Sequence, residues 1–405
     1  MNYNTTVNNQ LRVTLDVTPL LGPPTGVYQV TTALIGNLRN NQQREERNHR
    51  HHENIHENSC GNIENGRDNI RISGYVLSAR ASAQQLHRLQ TRTNLPVTRS
   101  RIPAILCLLS WARFSRPRLN RIARHADVIH GTNYTAPPGG SSRNPRPRLI
   151  TVYDFSMITR PEWCTKSVRR IAPTLYRAAA QGAHLHVTTR SDAAQAVELL
   201  KADPARVHRI PLGVRALEGG NPAAGRNLVN SEHYILALGA TEPRKNFHSL
   251  PKAVAALRKD MKLVVAGPPG ASEAALTAAV REHRLDSRYV RLTTVGQQLR
   301  TDLICGATVL AHPSLMEGFG LPPLEAVTVG TPVAATAVGV LPEMLGPHTK
   351  LTPPGDDEAF AEQLAEIVDN SPPSVPYAQT RISELTWELT AQRLAALYHK
   401  ISTTP

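Results

Sequence analysis

The sequence predicts an α/β protein built as two doubly wound parallel sheets. Short apolar, β-branched runs alternate with helix-length amphipathic segments through both halves of the chain, the pattern of βαβ units. A length of 405 residues can bury two ordinary domain cores. Two strand-to-helix junctions carry glycines, one near the start and one in the second half, and such junctions aim free backbone N–H groups at an anion.

In the first half, Leu11–Val17 alternates as a strand. A loop containing Gly22, Pro23, Pro24, Thr25 and Gly26 leads into a helix over Val27–Leu38. That loop either approaches a phosphate or only makes a βα turn. Asn40–Asp68 is rich in Asn, Arg, Glu and His and almost free of large apolar residues, so 40–68 is expected to be a disordered insertion. His49, His51, His52 and His56 within it offer at most an adventitious metal site. The fold resumes with a strand at Ile70–Leu77.

Arg99–Arg124 sets Ile102, Ile105, Leu106 and Leu109 at helical spacing beside Trp111, among seven arginines. It is either a basic amphipathic helix lying in a membrane interface or a core helix with a wet arginine face. Strands follow at Asp127–His130, Arg148–Asp154, His184–Thr188 and Val207–Leu212, with helices at Val168–Gln181 and Ser191–Lys201. Gly213 closes a first domain spanning 1–213.

Glycines, Pro222 and asparagines mark 214–232 as a linker. A second domain, 233–382, opens with the strand Tyr234–Leu238 and the loop Gly239–Asn246. There Arg244 and Lys245 sit after a strand end, where two cations can neutralise a diphosphate; the bland alternative is a solvated charged loop. Strands Lys262–Gly267 and Val290–Thr294 bracket a helix at Ser272–His283. Ala307–Ala311 then runs into Glu317, the turn Gly318-Phe319-Gly320, Leu321 and Pro322, the last placed as a first helical residue. Glu317 and Glu325 bracket this junction. Carboxylates repel phosphate and suit sugar hydroxyls, so the stretch reads as a pocket for a diphosphate with hydroxylated rings at both ends. Asp356 and Asp357 start a helix over Glu358–Val368, and Ser383–Tyr398 begins a C-terminal amphipathic helix within 383–405.

The net charge of +14 favours anionic partners. No helix-turn-helix or RNA-binding pattern is present, which argues against nucleic acid. Four scattered cysteines without a C-x-x-C pair fit a reducing compartment. The N-terminus is polar and Ile102–Ala112 is too short to span a bilayer. The expected location is therefore cytoplasmic, with the basic segment able to reach the inner face of a membrane.

Glu317 and Glu325, with seven residues between them, resemble the E-x7-E motif of retaining GT-B glycosyltransferases of family 4, the group 1 type. The flanks agree: His312-Pro313-Ser314 before, and Pro332-Val333 and Leu341-Pro342-Glu343 after. Gly239–Asn246 is similar to a second family signature, Arg160-Pro161-Glu162-Trp163 fits, and Gly26-Val27-Tyr28 fits only loosely. The resemblance is strong over about a third of the chain. One departure stands out: the family's Thr-Val-His-Asp is here Thr151-Val152-Tyr153-Asp154.

The resemblance implies a GT-B fold, with two Rossmann-like domains facing across a cleft and the C-terminal helix crossing back to the first. It implies transfer of a hexose, with retention, from a nucleotide diphosphate sugar to a hydroxyl of a glycan or lipid-linked acceptor. GDP-mannose is the first donor expected. By that resemblance Arg244 and Lys245 bind the diphosphate, and Glu317 accepts from the transferred hexose. Gly318, Phe319, Gly320 and Leu321 hold sugar and phosphate through N–H groups, and Glu325 holds the ribose. Gly22, Gly26, Tyr153 and Asp154 belong to the acceptor or diphosphate end. No cofactor is implied, and the lack of an Asp-x-Asp motif fits metal-independent catalysis. The rivals are a non-catalytic protein of the same fold, kept open by Tyr153, and a sugar-nucleotide epimerase or a phosphorylase, for which no acid/base carboxylates or cofactor lysine can be assigned.

Overall fold

The computed structural model describes residues 10–22, 25–53, 70–114, 116–119, 122, 124–139, 146–257, 260–346, 349–370 and 376–403, without the side chains of 42–53 and 376–377. The chain divides into two units: Met1–Gly213 with Trp387–Pro405, and Val214–Thr386.

Among the described residues the first unit holds β1 (Leu11–Asp16), β2 (Ile70–Val76), β3 (Val97–Arg99), β4 (Val128–Gly131), β5 (Arg148–Val152), β6 (His184–Val187) and β7 (Val207–Arg209). They form one parallel sheet in the order β3-β2-β1-β4-β5-β6-β7. Most residues of β1, β2, β4, β5 and β6 are buried, polar ones such as His130, Thr151 and His186 included, as in a parallel sheet covered on both faces. The helix after β1 runs from Gly26 to Glu53, which corrects the expectation of disorder over residues 40–53. No Gly or Pro interrupts Asn37–Glu53, and Gln, Arg and Glu propagate a helix once its packed first turns have nucleated it. The rest of the expected insertion, residues 54–68 including His56, lies outside the described residues.

The C-terminal helix Trp387–Thr403 belongs to this unit. Its Leu394, Leu397, Tyr398 and Ile401 join Leu34 and Leu38 and the β1 side chains in one core. A buried polar chain fixes it further. Tyr398 Oη lies 2.7 Å from His130 Nδ1, His130 Nε2 2.7 Å from Thr151 Oγ1, Thr151 Oγ1 2.9 Å from His186 Nδ1, and His186 Nε2 2.9 Å from the Ile210 carbonyl. The carbonyl only accepts, so His186 donates from Nε2; with His186 neutral, Thr151 then donates to its Nδ1, His130 donates to Thr151, and Tyr398 donates to His130. Burial favours the neutral form of both imidazoles. Burial holds the His130 pKa well below its ordinary value and that of His186 down to about 4.

The basic apolar segment forms a helix at Ala104–Trp111. Cys107 and Trp111 are buried in the core, while Ile105, Leu106, Leu109 and, just beyond, Phe114 are exposed. One face of this helix is thus a core face, as the second reading expects, while the other carries exposed apolar side chains.

The second unit holds β8 (Tyr234–Leu238), β9 (Lys262–Ala266), β10 (Tyr289–Leu292), β11 (Val309–His312) and β12 (Val333–Ala335), parallel in the order β10-β9-β8-β11-β12. Residues 214–232 are not a free linker. They lie in this unit, and their helix Pro222–Val229 packs against Gln297–Gly306. Glycines make the close crossing: a Cβ on Gly225 would sit 2.3 Å from the Asp302 carbonyl oxygen, and one on Gly306 2.6 Å from that of Pro222. Pro251 is accommodated in the first turn of Leu250–Ala255, where its missing N–H costs nothing. From β8 the sheet is extended one way by β9 and β10, and from β11 the other way by β12. The carboxyl ends of β8 and β11 therefore border a topological switch point, where open α/β sheets bind ligands.

Candidate active site

Arg244 and Lys245 follow β8, and Glu317 follows β11, so the switch point brings the three together. The backbone locks the two loops, with Leu315 N–H donating to the Arg244 carbonyl at 2.7 Å. Gly239, at φ 141, lets the chain pass the lysine stem: a Cβ there would meet Lys245 Cε at 3.3 Å. Lys245 Nζ donates to Glu317 Oε1 at 2.5 Å, and Ser314 Oγ donates to the same oxygen at 2.8 Å. Arg244 Nη1 donates to Oε2 at 3.0 Å. His312 Nε2 lies 3.2 Å from Oε1 without the alignment of a hydrogen bond, and both nitrogens of this fully buried ring are unpartnered.

Burial pushes the Glu317 carboxyl up, but Lys245 and Arg244 override it and hold the pKa well below the usual carboxylate range. Burial lowers the Lys245 pKa, with Arg244 adding to this and Glu317 opposing it. It lowers that of His312 too. Glu317 is thus the counter-ion of two cations.

The loop beyond Glu317 turns through Gly320, at φ 93, into the helix Leu321–Thr328. Pro322 is its second residue, one place later than expected. Phe319 is buried, and its carbonyl accepts from Val340 N–H at 3.2 Å. Gly339, at φ 59, leaves room for Gly318: a Cβ there would lie 3.3 Å from the Gly318 carbonyl oxygen. Glu325 is buried and accepts from Arg300 Nη2 through Oε2. Arg300, His312 and Ser314 carried no assigned role in the sequence reading. Ser314 and His312 stand within the matched stretch, whereas nothing near Arg300 in sequence points to Glu325.

The remaining candidates lie in the first unit. Gly22 and Gly26 both avoid positive φ, and a Cβ on Gly26 would meet open space, so neither turn requires glycine. Pro23 and Pro24 lie outside the described residues. Tyr153 is buried, and its hydroxyl donates to the Thr132 carbonyl at 2.8 Å. Asp154 accepts from Ser156 N–H and Oγ on Oδ1 and from Tyr134 Oη at 3.1 Å on Oδ2. The Tyr134 and Tyr153 rings meet edge to face. Two further carboxyls are perturbed here. Burial pushes Asp16, at the end of β1, up to about 6 and Asp192 up to about 7, with threonine hydrogen bonds opposing in each case.

Residues 224–382 match the family described as Glycosyl transferases group 1. The match lies within the second unit. Among curated proteins, the chain is 29% identical over 227 residues to D-inositol 3-phosphate glycosyltransferase of Mycolicibacterium smegmatis, covering 53% of this chain and 52% of that protein. It is 26% identical over 275 residues to O-antigen chain mannosyltransferase B of Escherichia coli, covering 64% and 71%. The chain spans about half the length of the first two curated relatives it matches. Among solved structures it is similar to HepE of Anabaena in complex with UDP and glucose, at a TM-score of 0.67 and 14% identity over 96% of this chain and 99% of that one. Sucrose-phosphate synthase from Thermosynechococcus elongatus gives 0.66 and 18% over the same shares. These likenesses bear on the fold, which is of the GT-B class: two Rossmann-like parallel-sheet α/β units.

Proposed function

We propose that the protein is a retaining, metal-independent glycosyltransferase that moves a hexose from a nucleotide diphosphate sugar to a hydroxyl of a glycan or lipid-linked acceptor. The meeting of Arg244, Lys245 and Glu317 at the switch point of the second unit carries this reading. The two cations neutralise the diphosphate as it leaves, and Glu317, released from them, accepts from hydroxyls of the transferred ring. Electrostatic stabilisation of the departing group is then the main catalytic term. If the leaving phosphate takes the acceptor proton on the same face, no enzyme nucleophile is required. The mannosyltransferase among the relatives supports GDP-mannose as the first donor to try, and HepE supports UDP-glucose as the second.

Nucleotide release from each donor, with and without EDTA, tests this. Wild-type protein should release nucleotide equally in EDTA. Lys245→Ala and Arg244→Ala should each lose about 1.5–3 kcal/mol of transition-state stabilisation, roughly 10- to 150-fold in kcat/KM. A strict magnesium requirement overturns metal independence. Nucleotide sugar binding without release favours the second reading, a non-catalytic binding protein, for which Tyr153 is the observation: its hydroxyl is committed to a backbone carbonyl.

The acceptor side is proposed to meet an anionic membrane surface through the helix Ala104–Trp111. No helix among the described residues is long and apolar enough to cross a membrane. The exposed Ile105, Leu106, Leu109 and Phe114 lie within the arginine-rich stretch Arg99–Arg124, and apolar side chains with neighbouring cations suit the interface of an anionic bilayer.

A further inference from the structure

His312 stands beside Glu317 with neither ring nitrogen satisfied. It is the last residue of β11, fully buried, and both nitrogens lack a hydrogen-bond partner. A buried polar ring in that state costs stability, so packing alone does not account for a histidine here. Its Nε2 lies 3.2 Å from Glu317 Oε1. A bare Nε2 would turn its lone pair on the carboxylate, so the proton belongs on Nε2. Burial lowers the His312 pKa, with Lys245 and Arg244 adding to this and Glu317 opposing it, which favours the neutral ring.

Occupancy keeps this N–H from bonding to Oε1. That oxygen already accepts from Lys245 Nζ and Ser314 Oγ, and two donors fill the lone-pair sites of one carboxylate oxygen. The backbone fixes His312 as the third donor. It pairs with Ala335 of β12, its carbonyl accepts from Thr336 N–H at 3.2 Å, and the Ser314 carbonyl accepts from Thr336 Oγ1 at 2.5 Å. Lys245, by contrast, reaches Oε1 on a four-carbon stem from the loop after β8. Taking the ammonium off Oε1 therefore opens one place, and the fixed donor beside it is His312. A third cation at this point would repel Lys245 and Arg244, whereas a neutral N–H does not.

We propose that His312 is a positioning residue of the transfer reaction: its Nε2–H replaces the Lys245 ammonium on Glu317 Oε1 when Lys245 turns to the donor diphosphate. This rests on the donor-site reading given above. Ser314 and His312 then hold Oε1 between them and keep the carboxylate ionised. Glu317 meets the transferred ring in the position it already occupies. No proton is transferred in this exchange; only the donor on Oε1 changes.

A double-mutant cycle in urea and a donor assay on the full chain test this together. His312→Leu should leave the unfolding equilibrium of wild type within about twofold, or favour the folded state, because it removes an unsatisfied buried group. In the Lys245→Ala background, where Oε1 has a place open, the same change should cost about tenfold or more in that equilibrium, the worth of a hydrogen bond to a charged acceptor. With GDP-mannose or UDP-glucose as donor, His312→Leu should lower kcat for nucleotide release about tenfold with KM within about twofold. His312→Gln, whose amide N–H can stand near the Nε2 position, should recover most of that kcat. A cost of His312→Leu that is equal in both backgrounds, or an unchanged kcat, while Lys245→Ala still weakens GDP or UDP binding, makes His312 a space-filling residue and overturns the proposal with the donor site intact. Wild-type protein that binds neither GDP nor UDP removes the donor reading, and the reaction role of His312 falls with it whatever the cycle shows.

Discussion

Replacing Glu317 by Gln asks what holds Arg244 and Lys245 in place. The carboxylate is 7% exposed and takes Lys245 and Arg244 on different oxygens. The amide keeps the shape but removes the charge, leaving the buried Lys245 ammonium facing Arg244 without a counter-ion. Removing one partner of a buried pair costs about 3–5 kcal/mol. Arg244 is 32% exposed, so water takes up part of its share and the lower end applies, about 3 kcal/mol. For a unit of this size that lowers the melting temperature by roughly 6–12 °C. A nucleoside diphosphate brings negative charge to the same two cations, so it should raise the melting temperature of Glu317→Gln more than that of wild type. Differential scanning calorimetry with and without GDP reads both effects. A variant that melts with wild type, or gains less from GDP than wild type does, would refute the counter-ion role. The motif alone suggests a loss of turnover with folding intact; the buried pairing adds the cost in stability.

Three further outcomes follow from the first unit. His186 is neutral and buried with a pKa of about 4, below its ordinary 6.5, so its contribution to stability is full above pH 6.5 and lost as the pH falls to about 4. The stability advantage of wild type over His186→Gln, from urea titrations, should therefore shrink by about 3 kcal/mol between pH 7 and pH 4; the difference cancels the opposing drift from Asp16 and Asp192, and a constant difference would show that His186 is not buried neutral. Leu106→Ser/Leu109→Ser should leave the melting temperature nearly unchanged and weaken sedimentation with anionic vesicles, a binding that salt should also reduce; equal binding to neutral vesicles would remove the electrostatic part. Tyr153→Phe should cost about 1 kcal/mol of stability, the worth of its bond to the Thr132 carbonyl, with little change in the donor Michaelis constant; a change above about tenfold would put the hydroxyl against substrate instead.

The alternation of apolar strands and amphipathic helices was enough to read the two sheets, because a parallel strand covered on both faces leaves a continuous apolar run such as Tyr234–Leu238. β3 and the helix Ala83–Thr93 escaped, the first because Val97–Arg99 is only three residues long at a sheet edge, the second because its mostly exposed surface blurs the apolar stripe. Its capping box, Ser82 with Gln85, was the available signal. Residues 40–53 misled for a different reason: composition reports how little they can bury, and a helix already nucleated by Val30, Leu34 and Leu38 needs no further burial to continue. The stretch at 214–232 looked like a linker because its glycines serve close helix packing, a use that composition does not distinguish from flexibility.

The candidate site divides along the same line. Glu317 and Glu325 were legible because a carboxylate beside an anion-binding loop needs a reason. Their partners were only half legible. Arg244 and Lys245 stand out as adjacent cations after a strand, but their pairing with Glu317 depends on β8 and β11 being neighbours, which is a property of the winding. Arg300 lies in the helix before β11 and Glu325 in the helix after it, so no local spacing links them. Yet a physical constraint does. A buried carboxylate must be charge-compensated, or its burial would push it toward the neutral acid, which is a poorer acceptor. Each glutamate of the pair therefore demands a cation from an element wound against it. The second unit supplies two to Glu317, from Arg244 and Lys245, and one to Glu325, from Arg300.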